Sequence, residues 1–343
     1  MTNKKTKILL IYTGGTIGMV KDYDTGALKA FNFKKLQKNI PELNQLDCDI
    51  DNISFDAPID SSNMNVEDWV VIAEIIESNY QRYDGFVVLH GSDTMSYTAS
   101  ALSFMLENLG KPVVFTGSQL PIGDLRTDAK ENLITSIQIA ALQENNKPVI
   151  QEVCLYFEYK LYRANRTTKI NAEHFEAFAS MNYPSLAESG VHLKVNREAL
   201  YRGKKGKSFK VHKQMDRNVA ILKIFPGIGQ PLLNSVLNTP NLKALVLETY
   251  GAGNAPMEDW FKKELGGAIK NGIFVVNVTQ CSGGSVLMGQ YETSEHLQKL
   301  DLINGKDITT EAAIAKMMYL LGNNISPKLF KTIFETSLRG EMQ

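Results

Sequence analysis

The chain has no excess charge of either sign, since 37 Lys plus Arg balance 37 Asp plus Glu over 343 residues. It therefore offers no electrostatic footprint for nucleic acid or an anionic membrane surface. It also lacks long hydrophobic runs, and nothing approaches the roughly 18 apolar residues of a membrane helix. Cysteine is scarce: Cys48, Cys154 and Cys281 are odd in number, widely spaced and without a CxxC pair. They read as free thiols in a reducing compartment rather than as a disulfide framework. Lys4, Lys5 and Lys7 precede only five apolar residues, Ile8 to Tyr12, before Thr13-Gly14-Gly15. Five are too few for a signal-peptide core, so a cytoplasmic location is expected. No Cys/His cluster suggests a metal or organic cofactor. Neither GxGxxG nor GxxxxGK occurs, which lowers a nucleotide-phosphate reading.

What the chain does have is two short threonine- and glycine-rich turns, each placed directly after an apolar run. Ile8-Leu9-Leu10-Ile11-Tyr12 leads into Thr13-Gly14-Gly15-Thr16-Ile17-Gly18, and Gly85-Phe86-Val87-Val88-Leu89-His90 leads into Gly91-Ser92-Asp93-Thr94. An apolar run bounded by glycine reads as a buried strand, and open α/β sheets present their chemistry at carboxyl strand ends. Each turn offers hydroxyls, with glycines that let backbone N–H groups approach a ligand. Each alone is weak evidence. The first turn is also compatible with a structural turn or a phosphate cradle, and Asp93 with a turn former.

The length favours two domains, and 43% hydrophobic content suffices for two cores. From Ile8 to about Phe157, strands alternate with helices, as in a parallel sheet covered on both faces. Asn65 is the expected N-cap of a helix carrying Val66, Trp69, Val70, Ala73 and Ile76 on one side. Tyr97 to Leu109 reads as a helix ended by Gly110. Asp128 opens another, to about Gln143, and Val149–Phe157 reads as a strand. The basic, glycine-containing Arg202-Gly203-Lys204-Lys205-Gly206-Lys207 reads as a solvated hairpin tip or linker. Strands near Val219–Phe225, Ala244–Tyr250 and Ile273–Val278 follow, alternating with helices near Met257–Asn271 and Thr309–Leu321. The fold class is α/β: a larger N-terminal domain with a parallel-rich sheet flanked by helices, plus a smaller C-terminal α/β domain. Boundaries are expected at 1–195, 196–213 for the linker or hairpin, and 214–343.

Two further segments bear chemistry. Arg163-Ala164-Asn165-Arg166-Thr167-Thr168-Lys169 reads as a solvated loop, or as the carrier of a general base if burial depresses Lys169. Asp60-Ser61-Ser62-Asn63-Met64 is a polar loop whose hydroxyls and carboxylate suit an amino-acid ligand.

In order, TGGTIG, DSSNM, HGSDTM, TGSQLP, RTTK and YGAGN closely resemble the bacterial-type L-asparaginase family, its cytoplasmic type I branch above all. The resemblance runs from Ile8 to the end. It implies an amidohydrolase that releases ammonia and aspartate from L-asparagine, with no cofactor. By position, it implies that Thr16 is the nucleophile that forms an acyl-enzyme. Ser92, Asp93 and Lys169 form the group that activates either Thr16 or water. Ser61, with Asp60 and Ser62, holds the substrate's α-carboxylate and α-ammonium, as Ser92 and Asp93 also would. Backbone N–H groups near Ser92 and Ser118 would stabilise the oxyanion. A homo-oligomer, dimer or dimer of dimers, is implied, with sites built between subunits. Asn254, in the glycine-rich turn after Ala244–Tyr250, and Tyr291 are the candidates contributed by a neighbour, a purely structural turn being the alternative for Asn254.

The chain departs from the family pattern in three places. Serine stands at 92 where threonine is common. The loop tyrosine aligns best with Ala27, so Tyr23, or Tyr291 from the second domain, is the substitute. Glu248 replaces an arginine of some type I relatives, so their allosteric asparagine site is not carried over. Two rivals remain: an asparaginase-like subunit of a tRNA-dependent amidotransferase, and a non-catalytic amino-acid sensor. The first would need an extra N-terminal domain, for which the strand starting at Ile8 leaves no room. The second would need loss of Thr16 or Lys169, and both are present.

Overall fold

The structure, a computed structural model, describes residues 5–18, 20–21, 28–29, 40–203, 206–289 and 292–343. The chain divides into two compact units, Met1–Lys213 and Gln214–Gln343.

In the first unit β1 (Thr6–Gly14) lies inside a sheet, paired in parallel with β2 (Cys48–Ile59) and β3 (Gly85–Leu89). Both of its faces are covered, which is why Ile8 to Tyr12 are apolar without alternation. After β3 come α2 (Met95–Met105), β4 (Val113–Thr116), α3 (Ala129–Ala141) and β5 (Val153–Phe157), with α1 (Val66–Asn79) preceding it. β5 turns back into β6 (Lys160–Arg163) through Glu158 and Tyr159, both at positive φ, as a two-residue hairpin requires. Short antiparallel strands β7 (Ala187–Glu188) and β8 (Lys194–Val195) complete the order β8-β7-β6-β5-β4-β3-β1-β2. Ile8 and Leu10 of β1, Val87 and Leu89 of β3 and Val114 of β4 share one core with Leu133 and Ile137 of α3. The five parallel strands deliver their carboxyl ends to one edge, and in register Tyr12 lies beside Leu89 and Leu89 beside Thr116.

Asn65 caps α1 as expected, accepting from the Glu67 and Asp68 N–H groups while the Asp68 carboxylate accepts from Asn65 N–H. The expectation for α2 needs correction. The helix stops at Met105 because Leu106–Glu107 pairs with Lys210–Val211 instead, and Asn108, at φ 55°, takes the left-handed position assigned to Gly110. Phe209 stacks on Tyr80 beside this pairing, ring centroids 3.8 Å apart, so the end of the 196–213 segment is held on the first unit.

The second unit has β9 (Val219–Lys223), α4 (Gln230–Leu237), β10 (Ala244–Thr249), α5 (Asp259–Lys270), β11 (Phe274–Thr279), α6 (Glu292–Lys299), β12 (Ile303–Asn304), α7 (Thr310–Gly322) and α8 (Pro327–Phe334). Its four strands are parallel in the order β9-β10-β11-β12, over a core of Leu222, Leu233, Leu247, Phe261 and Leu265. Lys316, fully buried, pairs with Glu341 and donates to the Phe334 and Thr336 carbonyls at 2.6 and 2.7 Å, which pins the last residues. Among the described residues no helix is long and apolar enough to cross a membrane, and no group of three or more His, Cys, Asp or Glu could hold a metal.

Candidate active site

The site forms where β1, β3 and β4 end side by side. Gly14 and Gly15 have φ of 135° and 85°, and a Cβ on Gly15 would lie 2.4 Å from Gly91 N. The first turn therefore rests on the second through bare backbone, an approach that only glycine permits. A Cβ on Gly91 would in turn lie 2.5 Å from Ser61 Oγ. Three polar segments are thus stacked, the first two through backbone alone and the third through the Ser61 side chain seated on Gly91. Thr13 Oγ1 donates to Leu89 O (3.0 Å) and Thr94 Oγ1 to Ser61 O (2.7 Å), which ties each to the next. Thr16 opens a single 3₁₀ turn and is partly exposed between buried Gly15 and Ile17.

Asp60 caps the short turn Ser61–Asn63, and its carboxylate accepts from Ser62 N–H and Oγ, each at 2.9 Å. These bonds hold its pKa below the usual carboxylate range. Ser61 is buried, while Asp60 and Ser62 are exposed.

Lys169 lies next to the second turn. Its Nζ donates to Ser92 Oγ at 2.8 Å and to Asp93 Oδ1 at 2.7 Å. The lysine side chain is only 18% exposed, whereas Asp93 is 65% exposed. A pair so open on one side contributes at most about 1 kcal/mol to stability. The solvated-loop reading of the segment before Lys169 is wrong, because residues 163–167 are buried. Arg163 Nε donates to the Glu152 carboxylate at 2.6 Å and its guanidinium to Ala199 O at 2.8 Å. Asn165 donates to Ser103 Oγ at 3.0 Å, and Thr168–Lys169 pairs with Phe178–Ala179. Lys169 therefore projects from an anchored strand.

Four contributors escaped the sequence reading as site residues. Asp128 was expected only as a helix opener. Its carboxylate makes no capping bond and instead accepts from Gln119 N–H (2.9 and 3.1 Å) and Leu120 N–H (3.1 Å). Burial raises its pKa against those bonds. Asn132 donates to Gly117 O at 3.0 Å, so the Gly117–Leu120 loop is held from below by α3. Gln119 links Ser92 to the segment after Lys169. His90 is fully buried, its Nδ1 lying 2.7 Å from Gly91 O, and desolvation lowers its pKa to about 4. The Nδ1 nitrogen is thus the protonated donor of a neutral ring. His90 and Gln119 lie inside HGSDTM and TGSQLP. Asp128 and Asn132, spaced one helical turn apart, left no signal beyond polarity on a buried face.

The comparisons with known proteins cover the whole of this arrangement. Residues 7–201 match the family model "Asparaginase, N-terminal" and residues 218–334 match "Glutaminase/Asparaginase C-terminal domain". This chain belongs to the asparaginase family. It is 43% identical over 341 residues to L-asparaginase 1 of Escherichia coli K12, covering 99% of this chain and 98% of that one. The solved L-asparaginase I of Vibrio cholerae superposes with a TM-score of 0.90 at 40% identity, over 99% of this chain and 100% of the other. A mouse 60 kDa lysophospholipase is 40% identical over 98% of this chain and 62% of its own length.

Tyr23 and Tyr291 fall outside the described residues, as does Ala27. Asn254 belongs to the second unit, where it closes the turn after β10 through a bridge with Tyr250. Gly251 and Gly253 have φ of 48° and 104°, and Asn277 Nδ2 donates to Gly253 O at 3.1 Å. Glu248 accepts from Thr310 Oγ1 at 2.6 Å.

Proposed function

We propose that this chain is an L-asparagine amidohydrolase working through a Thr16 acyl-enzyme. The observation that carries the reading is the Lys169–Ser92–Asp93 cluster, stacked through Gly91 and Gly15 on the turn that bears Thr16. Thr16 Oγ1 attacks the side-chain amide carbon, the C–N bond breaks, and the hydroxyl proton leaves with ammonia. Water then cleaves the ester to L-aspartate. A threonine hydroxyl is a weak nucleophile without a base, and the Ser92–Lys169–Asp93 group handles the proton in these steps. Backbone N–H groups of the second turn and of the loop at Ser118 face the developing oxyanion. Asp60, Ser61 and Ser62 hold the α-ammonium and α-carboxylate.

The chain acts as a homo-oligomer in the cytoplasm, each site receiving Asn254 from a neighbour. The full-length likeness to L-asparaginase 1 supports the hydrolysis of L-asparagine. It is tested by measuring ammonia release from L-asparagine and L-glutamine. Asparagine is expected to be strongly preferred, because one extra methylene displaces the amide by more than the about 1 Å that costs roughly 100-fold in rate. No release from asparagine would overturn the proposal.

A further inference from the structure

We infer that Gln119 is a positioning residue whose amide oxygen sets the direction of the Ser92 hydroxyl. Ser92 Oγ donates to Gln119 Oε1 at 3.4 Å, while Gln119 Nε2 donates to Ala172 O at 3.2 Å and to His174 O at 3.0 Å. Carbonyl oxygens only accept. The amide can therefore seat one way alone, with its NH₂ toward residues 172–174 and its oxygen toward Ser92. The main chain of Gln119 is fixed as well, its N–H held by both oxygens of the Asp128 carboxylate.

The other side of Ser92 is occupied. Lys169 Nζ, 2.8 Å from Ser92 Oγ, is a pure donor when charged and takes a lone pair of the hydroxyl oxygen. The hydroxyl proton must then point elsewhere, and Gln119 Oε1 is the acceptor that the structure supplies. Serine needs this help, because it is unbranched and has three staggered wells, whereas a β-branched side chain is stiff at χ1. At 3.4 Å the bond is long, so its worth to the fold is small and its role is orientation. Together these contacts set a defined resting state: Lys169 N–H to Ser92 oxygen, Ser92 O–H to Gln119.

The inference rests on the proposed hydrolysis, in which Ser92 takes part in proton handling. The experiment is a double-mutant cycle on the full chain, reading kcat and KM for L-asparagine together with thermal unfolding. Gln119→Met keeps the size but loses both functions. It should lower kcat about tenfold, as loss of one hydrogen bond does, with KM and unfolding temperature nearly unchanged. In a Ser92→Ala background the same substitution should cost nothing further, because the group it orients is gone. Gln119→Glu keeps an acceptor but cannot donate to the two carbonyls, so it should lose activity like the Met variant. A tenfold loss repeated in the Ser92→Ala background would make Gln119 merely structural and overturn the inference. So would full activity in Gln119→Met or Gln119→Glu. Absence of wild-type hydrolysis would instead strike the functional reading, so the two failures are distinguishable.

Discussion

Replacing Gly15 by alanine should separate the two turns on which the site is built. Gly15 has φ 85°, a conformation that costs an L-residue about 1–3 kcal/mol. The new Cβ would lie 2.4 Å from Gly91 N, 2.5 Å from Gly91 Cα and 2.9 Å from His90 C. All three are main-chain atoms at the end of β3, so no flexible side chain can swing aside. Restoring even a tight contact of 3.4 Å requires the turns to part by about 1 Å. Such overpacking costs about 1–3 kcal/mol, and a 1 Å misplacement of reacting groups costs on the order of 100-fold in rate. Denaturant unfolding should therefore show a loss of a few kcal/mol, and kcat should fall about 100-fold at temperatures where the variant is fully folded. Gly190→Ala is the control, since its Cβ would meet nothing within 4 Å. A Gly15→Ala protein with near wild-type kcat would refute the stacked-turn construction of the site.

Lys169→Met should depress turnover by orders of magnitude while moving thermal stability by about 1 kcal/mol or less, because the Asp93 side of the pair is open to water. Equal, small changes in both would remove Lys169 from the mechanism. His90 should make stability pH-dependent. Its folded pKa, about 4, lies below its ordinary 6.5, so the unfolded chain binds the extra proton between these values and stability falls as pH drops through that window. From pH 6.5 to 5 the loss should be about 2 kcal/mol, and denaturant unfolding of His90→Gln should lack it. Co-expressed Thr16→Ala and Asn254→Ala chains should regain activity that neither has alone, since mixed dimers hold one intact site. No recovery would place Asn254 in its own chain's site.

Much of this was legible because buried parallel strands advertise themselves. Ile8–Tyr12 and Gly85–Leu89 are unbroken apolar runs ending in glycine, and the chemistry follows directly after them. β2 was not legible: it is an exposed edge strand rich in Asp, and an edge needs no apolar run. The burial of the Arg163–Thr167 segment was hidden for a different reason. The charge of Arg163 is matched by Glu152, eleven residues away in sequence and on the neighbouring side of the hairpin, a pairing that no local pattern reveals. The same holds for Asp128, whose partners Gln119 and Leu120 lie across a loop. Spacing finds residues at strand ends; it does not find the polar groups that support them from another element.

The most direct test of the central claim is the turnover of Thr16→Ala on L-asparagine, with binding measured in parallel. If Thr16 is the acylated nucleophile, kcat should fall by several orders of magnitude while affinity for the substrate is largely kept. A Thr16→Ala enzyme with near-normal kcat would contradict the account.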